Sequence, residues 1–203
     1  MLKNIYANIR RCLHHGILDI RYGCKLLRGC KESRFKYLGA YCTASSNYFV
    51  LAKLFGKISI NETDVIVDVG CGKGRVFNYL LSLKLKNKFI GIEIDQQITE
   101  ETKQRLKKYP NITIIHGDIL ENIPDNATIF YMFNPFNDVI MRKFKEQIEK
   151  KFKYREVTII YYNSKHLDIF FNDPKWDLEM FNPYDLDDYQ KYSAAILYYR
   201  PYL

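Results

Sequence analysis

Three glycines and one acid alternate with other residues in the stretch VIVDVGCGKGRVFNYL, residues 65–80. Asp68 is followed by Gly70, Gly72 and Gly74, and an apolar, helix-like run begins at once. Glycine allows a backbone to approach a ligand with no Cβ in the way. The backbone N–H groups of such a loop, with the N-terminus of the helix after it, can hold an anionic group. The stretch therefore predicts a site for a nucleotide-type ligand.

The spacing of these glycines discriminates between known kinds of nucleotide-binding loop. A dinucleotide-binding loop reads G-x-G-x-x-G and would need its third glycine where this chain has Arg75. A phosphate-binding loop reads G-x-x-x-x-G-K-[ST], and the chain contains no such sequence. An acid followed by G-x-G-x-G resembles the first motif of the class I S-adenosylmethionine-dependent methyltransferases.

The resemblance continues at the ends of later strands and implies a set of cofactor contacts. Glu93, in GIEID, stands where the family grips both ribose hydroxyls, because a carboxylate accepts two hydrogen bonds from a diol. Asp118, in HGDI, stands where the family binds the adenine amine, with Ile94 and Ile119 flanking the adenine. The cofactor implied is S-adenosyl-L-methionine, and the loop residues implied to hold it are Asp68, Gly70, Cys71, Gly72 and Gly74.

The end of the fourth predicted strand, FNPF, is expected to meet the methyl acceptor through Asn134, Pro135 and Phe136. It partly resembles the Asn/Asp-Pro-Pro-aromatic motif of enzymes that methylate amino groups of DNA bases or of glutamine, without the second proline. The amide oxygen of Asn134, which is also assigned to the cofactor site, and nearby carbonyls could accept the hydrogens of an amine. A simple turn after a strand is the alternative interpretation.

A second resemblance is to the histone-lysine methyltransferases that lack a SET domain and to small bacterial relatives of theirs. It implies that the segment YCTASSNYFVLAKLF, residues 41–55, folds over the methionine end of the cofactor, with Tyr41 and Thr43 among its contacts. Ser45 and Ser46 could add hydroxyl groups there. The alternative is that these residues only cap the helix that begins after them.

The fifth predicted strand ends in Tyr161, Tyr162 and Asn163. These residues are expected to line the opening where the methyl acceptor enters, beside the FNPF motif, and this opening is named here the acceptor mouth. His166 lies just beyond it. A general base would help a hydroxyl or ammonium acceptor, so His166 is either that base or an exposed loop histidine.

Regular alternation of apolar strands with helices positions these motifs. Five strand–helix alternations with nearly continuous apolar strands indicate a parallel sheet covered on both faces. Two further strands, separated by a short acidic loop, should pair antiparallel. The fold class predicted is α/β: a doubly wound, mostly parallel seven-stranded sheet with an antiparallel last strand and an N-terminal helical arm. Residues 1–55 are predicted to form a basic, helical N-terminal extension. Residues 56–203 are predicted to form the S-adenosylmethionine-binding methyltransferase domain.

The basic charge belongs to the N-terminal arm. Residues 1–40 contain nine Lys and Arg against Asp19 and Glu32, which gives +7 of the chain's net +8. Apolar residues at steps of three or four indicate one face of a helix: Leu2, Ile5, Ile9, Leu13, Ile17 and Ile20. One interpretation is a helix packed on the domain with its basic face in water. The other is a basic amphipathic segment that contacts an anionic membrane surface, nucleic acid or an acidic partner.

Composition fits an ordinary globular protein of 203 residues, with 47% hydrophobic and 27% charged residues. Five cysteines without a C-x-x-C pair favour reduced thiols and a cytoplasmic location over disulfides or a metal site.

The function predicted is methyl transfer to an N or O acceptor, whether protein, small molecule or nucleic acid. The alternative is a catalytically inactive cofactor-binding module that uses its basic arm for interaction.

Overall fold

The computed structural model describes residues 2–27, 34, 35, 37, 39–41, 44–184 and 193–201, with side chains from residue 13 onward. One seven-stranded sheet has the order β3-β2-β1-β4-β5-β7-β6. Its strands are β1 (Val65–Val69), β2 (Lys88–Glu93), β3 (Ile112–His116), β4 (Ile129–Phe133), β5 (Val157–Tyr162), β6 (Trp176–Phe181) and β7 (Ala194–Tyr199).

The pairing confirms the predicted fold class. Strands β1 to β5 run parallel, and β7 lies antiparallel between β5 and β6. The helices are α1 (Leu2–Gly23), α2 (Tyr48–Phe55), α3 (Arg75–Ser82), α4 (Gln96–Leu106), α5 (Ile119–Asn122) and α6 (Asp138–Lys151). A 3₁₀ turn, Leu167–Phe170, follows β5.

Successive side chains of a strand point to opposite faces of the sheet, so they belong to two apolar clusters, one on each face. Val67 and Phe130 pack in the cluster that includes Phe144 of α6. Ile66 and Tyr131 pack in the cluster that includes residues of α2 and α3. Because both faces are covered, β1 is buried throughout and β4 in all but its last residue, which explains their nearly continuous apolar sequences.

The strand order reverses at β1, whose neighbours are β2 on one side and β4 on the other. In an open α/β sheet, a crevice forms at such a reversal, at the carboxyl ends of the strands. The glycine loop follows β1 and Asn134 follows β4, so the sheet brings the two predicted motifs to one crevice.

The N-terminal helix packs on the domain, but over its described side chains, from residue 13 onward, it does not do so with the face that the apolar pattern indicated. Leu13, Ile17 and Ile20, named here the apolar stripe, are all exposed. Asp19 points the other way and is buried in a salt bridge with Arg75 of α3, 2.7 Å between Oδ2 and Nη2. A buried charged pair is stable only if its geometry is kept. The Asp19–Arg75 contact, and not burial of the apolar stripe, therefore sets the orientation of the helix.

Within the described residues, no helix is both long and apolar enough to cross a membrane.

Candidate cofactor site and acceptor mouth

The glycine loop needs its glycines for backbone conformation. Gly70, Gly72 and Gly74 have φ angles of 72°, 49° and 67°, in the left-handed region that side chains disfavour. The N–H groups of Gly70 and Cys71 donate to the Ile92 carbonyl over 2.9 and 3.1 Å. The loop is thereby fixed to the end of β2, and Gly74 forms the N-cap of α3.

Two close approaches define what surrounds this loop. A Cβ added at Gly70 would lie 3.2 Å from Cβ of Pro135, so the loop abuts the Asn-Pro-Phe turn. A Cβ added at Gly91, inside β2, would lie 2.7 Å from Sγ of Cys71. Sequence reasoning missed Gly91, although a glycine within a strand often marks a close approach of another backbone.

Asp68 lines a solvent-open cavity together with the glycine loop, residues 44–46 and Tyr131. Its Oδ2 is buried and has no hydrogen-bond partner among the described residues. Burial, and then the nearby Glu93 charge, raise the pKa of the Asp68 carboxyl well above its ordinary value. A buried, unpaired carboxylate oxygen fits a cationic ligand group such as the amino group of S-adenosylmethionine.

The segment before α2 contributes to the cavity and to the start of the helix, while its predicted contact with the cofactor stays a prediction. Ser45 and Ser46 line the cavity. The Ser46 hydroxyl lies 2.7 Å from the Tyr131 hydroxyl beneath it. Asn47 caps α2, since its Oδ1 accepts from the Phe49 N–H. Thr43 lies outside the described residues, and its assignment stays a prediction.

Glu93 is buried at the end of β2 and is tied to the loop. Its Oε2 accepts from the Gly72 N–H over 2.8 Å, and its Oε1 accepts from the Asp95 N–H over 3.0 Å. Burial raises the pKa of Glu93, and these N–H donors oppose the rise. Each carboxylate oxygen can accept a further bond, so the ribose assignment stays a prediction compatible with these contacts.

Asp118 is found as a helix cap, since its Oδ1 accepts from the Leu120 N–H at the start of α5 over 2.9 Å. The contact occupies one carboxylate oxygen. Ile119, the first residue of α5, is buried, and Ile94, just after β2, is half-buried. The three adenine contacts assigned to these residues stay predictions.

Asn134, predicted to meet the methyl acceptor, directly follows β4. It is buried, has a left-handed φ of 38°, and accepts the Tyr161 hydroxyl on Oδ1 over 2.8 Å. The same Tyr161 oxygen accepts from the His166 N–H over 3.2 Å. Phe136, expected to meet the acceptor, is packed in the core against Phe144 with 5.8 Å between ring centroids.

Residues 39–41 cross the Asn-Pro-Phe turn. The Tyr41 N–H donates to the Pro135 carbonyl over 2.9 Å, and the Asn137 N–H donates to the Gly39 carbonyl over 3.0 Å. Tyr41, assigned to the cofactor by sequence, lies beside the acceptor turn, with its hydroxyl 3.5 Å from Nε2 of His166. The described part of this arm therefore forms one wall of the mouth.

Arg75 connects the arm to the cofactor loop. Its guanidinium binds both carboxylate oxygens of Asp19, over 3.1 and 2.7 Å, and donates to the Ser46 carbonyl. Asp19 also accepts from the Tyr48 hydroxyl and from the Leu27 N–H. Sequence reasoning used Arg75 only to exclude a dinucleotide loop and missed Asp19, whose partner lies 56 residues away.

Comparison with known proteins identifies relatives of this fold and sequence. An RNA methyltransferase from Salinibacter ruber, solved with S-adenosyl-L-homocysteine, superposes with a TM-score of 0.57 at 16% identity, covering 77% of this chain and 92% of that one. This likeness confirms the fold of class I S-adenosylmethionine-dependent methyltransferases.

Two curated relatives share sequence over part of the chain. The ribosomal RNA small subunit methyltransferase A of Dehalococcoides mccartyi (strain CBDB1) is 30% identical over 101 residues, 50% of this chain and 33% of the relative. An rRNA adenine N-6-methyltransferase of Lysinibacillus sphaericus is 38% identical over 77 residues, 38% of this chain and 30% of the relative. The matched region therefore spans about a third of each relative's length.

A family model, described as ribosomal RNA adenine dimethylase, matches residues 34–164. This range contains the glycine loop, Glu93, Asp118 and Asn134, and it covers more than half of the sequence. The chain therefore belongs to the ribosomal RNA adenine dimethylase family.

Proposed function

We propose that this protein is an S-adenosylmethionine-dependent methyltransferase that acts on the exocyclic N6 amine of an adenine in ribosomal RNA. The observation that carries the proposal is the contact between the two motifs: Pro135 lies against Gly70, beside Asn134. The matched family and the names of the curated relatives support adenine in ribosomal RNA as the acceptor. The family match favours this acceptor over a protein lysine.

The chain's own residues would bind and orient the two reactants. Asp68, the glycine loop and Glu93 would hold S-adenosylmethionine, which supplies an electrophilic methyl group when bound. Asn134 would accept a hydrogen of the amine on Oδ1 and direct the nitrogen lone pair into the crevice. An adenine amine is uncharged at neutral pH, so this reaction needs no base to deprotonate an ammonium first.

The test is a methyl-transfer assay with labelled S-adenosylmethionine on separated ribosomal RNA, total protein, lipid and small molecules. We expect label in RNA, and N6-methylated adenosine after digestion to nucleosides. Asn134→Ala should lower the rate at saturating cofactor by about 100-fold, and calorimetry with S-adenosylmethionine measures separately what its assigned cofactor contact adds to affinity. Asn172→Ala is the matched control, because Asn172 also has a left-handed φ but lies exposed outside the mouth.

Three outcomes would contradict the proposal. Label in protein would favour a protein acceptor, one of the acceptor classes that the sequence left open. Cofactor binding without transfer to any fraction would favour a catalytically inactive binding module. Equal rates for Asn134→Ala and Asn172→Ala would remove the role assigned to Asn134.

A further inference from the structure

We propose that α1 binds the surface of an anionic lipid bilayer through its apolar stripe. Leu13, Ile17 and Ile20 expose 62%, 61% and 58% of their surface. Steps of four and three residues align them on one side of the helix. The sequence continues the same spacing toward the N-terminus. Three large aliphatic side chains aligned on a helix surface form a contiguous contact face, unlike single apolar residues scattered over a surface.

The opposite face of α1 prevents the stripe from turning inward. Asp19 exposes only 1% of its surface, and its carboxylate is held by Arg75 and by the Tyr48 hydroxyl. Rotation of the helix to bury the stripe would bring Asp19 into water and leave the Arg75 guanidinium buried and unpaired. The domain therefore holds the stripe outward, toward whatever binds it.

The charge of α1 selects an anionic surface. The helix contains Lys3, Arg10, Arg11 and Arg21 with Asp19 as its one acid. Because Asp19 is neutralised by Arg75, the uncompensated charges of the helix sequence are all positive. Arg21 and Lys25, next to the stripe, are exposed. A second copy of a chain with net charge +8 would be repelled by this helix.

The combination of aliphatic and basic residues fits a lipid surface better than RNA. Leucine and isoleucine side chains offer neither hydrogen-bond donors to phosphates nor aromatic faces to stack on bases. An anionic bilayer offers hydrocarbon to an apolar stripe and phosphate headgroups to the basic residues beside it. The helix would lie along the bilayer surface, with its docked face still on the domain.

The test uses the full chain and sedimentation with vesicles of phosphatidylglycerol and phosphatidylcholine, against vesicles of phosphatidylcholine alone. We expect binding to the anionic vesicles that weakens as salt rises. The variant Leu13→Gln/Ile17→Gln/Ile20→Gln should lower the partition coefficient at least about tenfold, since glutamine keeps helix propensity but not apolar surface. Arg21→Glu should lower it independently.

The matched control replaces three exposed apolar residues elsewhere, Leu83→Gln/Val139→Gln/Met180→Gln. It should bind vesicles as the unmodified chain does, and thermal melting should show all variants folded. The proposal is overturned if the unmodified chain ignores anionic vesicles or if the stripe variant binds them equally well. It is also overturned if the stripe is needed instead to retain single-stranded RNA or to form a dimer in analytical ultracentrifugation.

This binding assay contains neither cofactor nor methyl acceptor. Its failure would therefore leave the proposed methyl transfer untouched, and failure of methyl transfer would leave the lipid proposal untouched.

Discussion

The hydroxyl of Tyr161 donates a hydrogen bond to Oδ1 of Asn134 over 2.8 Å, while its own oxygen accepts the His166 N–H. Both side chains are buried. Since the hydroxyl donates to only one end of the amide, Tyr161 fixes which way the Asn134 side chain faces. An acceptor amine that binds Oδ1 would meet an oxygen already oriented by this contact.

Removing this hydroxyl should therefore slow methyl transfer without affecting cofactor binding. We expect Tyr161→Phe to lower kcat by about fivefold, because one orienting hydrogen bond worth about 1 kcal/mol is lost. The affinity for S-adenosylmethionine should stay unchanged in calorimetry. Tyr162→Phe is the matched control, since its hydroxyl contacts Tyr184 instead. An equal loss of kcat in both variants would argue for a general packing effect.

Asp68 should lower the stability of the ligand-free protein at neutral pH. Burial raises the pKa of the Asp68 carboxyl. At pH values above the ordinary aspartate pKa of about 4, the folded state therefore binds the proton more tightly than the unfolded state does. The stabilisation from that proton is complete below about pH 4 and is lost as pH rises through the folded pKa. We expect Asp68→Asn to raise the free energy of unfolding at pH 8 by about 1–3 kcal/mol.

The same change should weaken cofactor binding, since the asparagine offers no charge to a cationic amino group. Denaturant melts of the two proteins should converge at acidic pH, and calorimetry at pH 8 should show weaker S-adenosylmethionine binding in the variant. For the unmodified chain, affinity should rise with pH as Asp68 ionises. A variant less stable than the original at pH 8 would disprove an unpaired buried charge at Asp68.

The buried pair of Asp19 and Arg75 gives a third prediction. Removing one partner leaves the other charge buried and unpaired, so Asp19→Ala should cost about 3–5 kcal/mol of unfolding free energy. The double variant Asp19→Ala/Arg75→Met should cost less than the sum of the single changes. Denaturant unfolding of the four proteins provides the cycle. Additive costs would show that the two side chains contribute separately.

Gly91 gives a fourth prediction, because a methyl group there would press on Cys71 of the cofactor loop. We expect Gly91→Ala to lower the affinity for S-adenosylmethionine by about tenfold and to destabilise the fold by about 1–3 kcal/mol. Adding Cys71→Ala removes the sulfur atom and should restore part of the affinity in calorimetry. Normal affinity in the single variant would mean that the loop tolerates the displacement.

The sheet was predictable because its evidence is local. Strands β1 and β4 are short, mainly apolar runs that end in turn residues, and the helix after β4 begins at the cap Asn137. The glycine spacing likewise requires only residues 68–74. These signals lie within a few positions of each other, so no tertiary contact is needed to interpret them.

Long-range contacts explain what sequence reasoning missed. The orientation of α1 depends on Asp19 meeting Arg75, and periodicity alone could not indicate that the polar residue was the buried one. The direction of Phe136 depends on space beside Phe144. The path of Tyr41 over Pro135 depends on backbone hydrogen bonds, which leave little trace in side-chain types.

The position of β7 between β5 and β6 has a consequence for synthesis on the ribosome. Strand β6 pairs with β7, and β7 pairs with β5, so residues 176–181 join the sheet through residues 194–199. Five parallel strands can assemble while β6 still lacks this neighbour. The edge of the nascent sheet at β5 therefore stays open until the segment with Ala194 has left the exit tunnel, and such an open edge is where nascent chains aggregate.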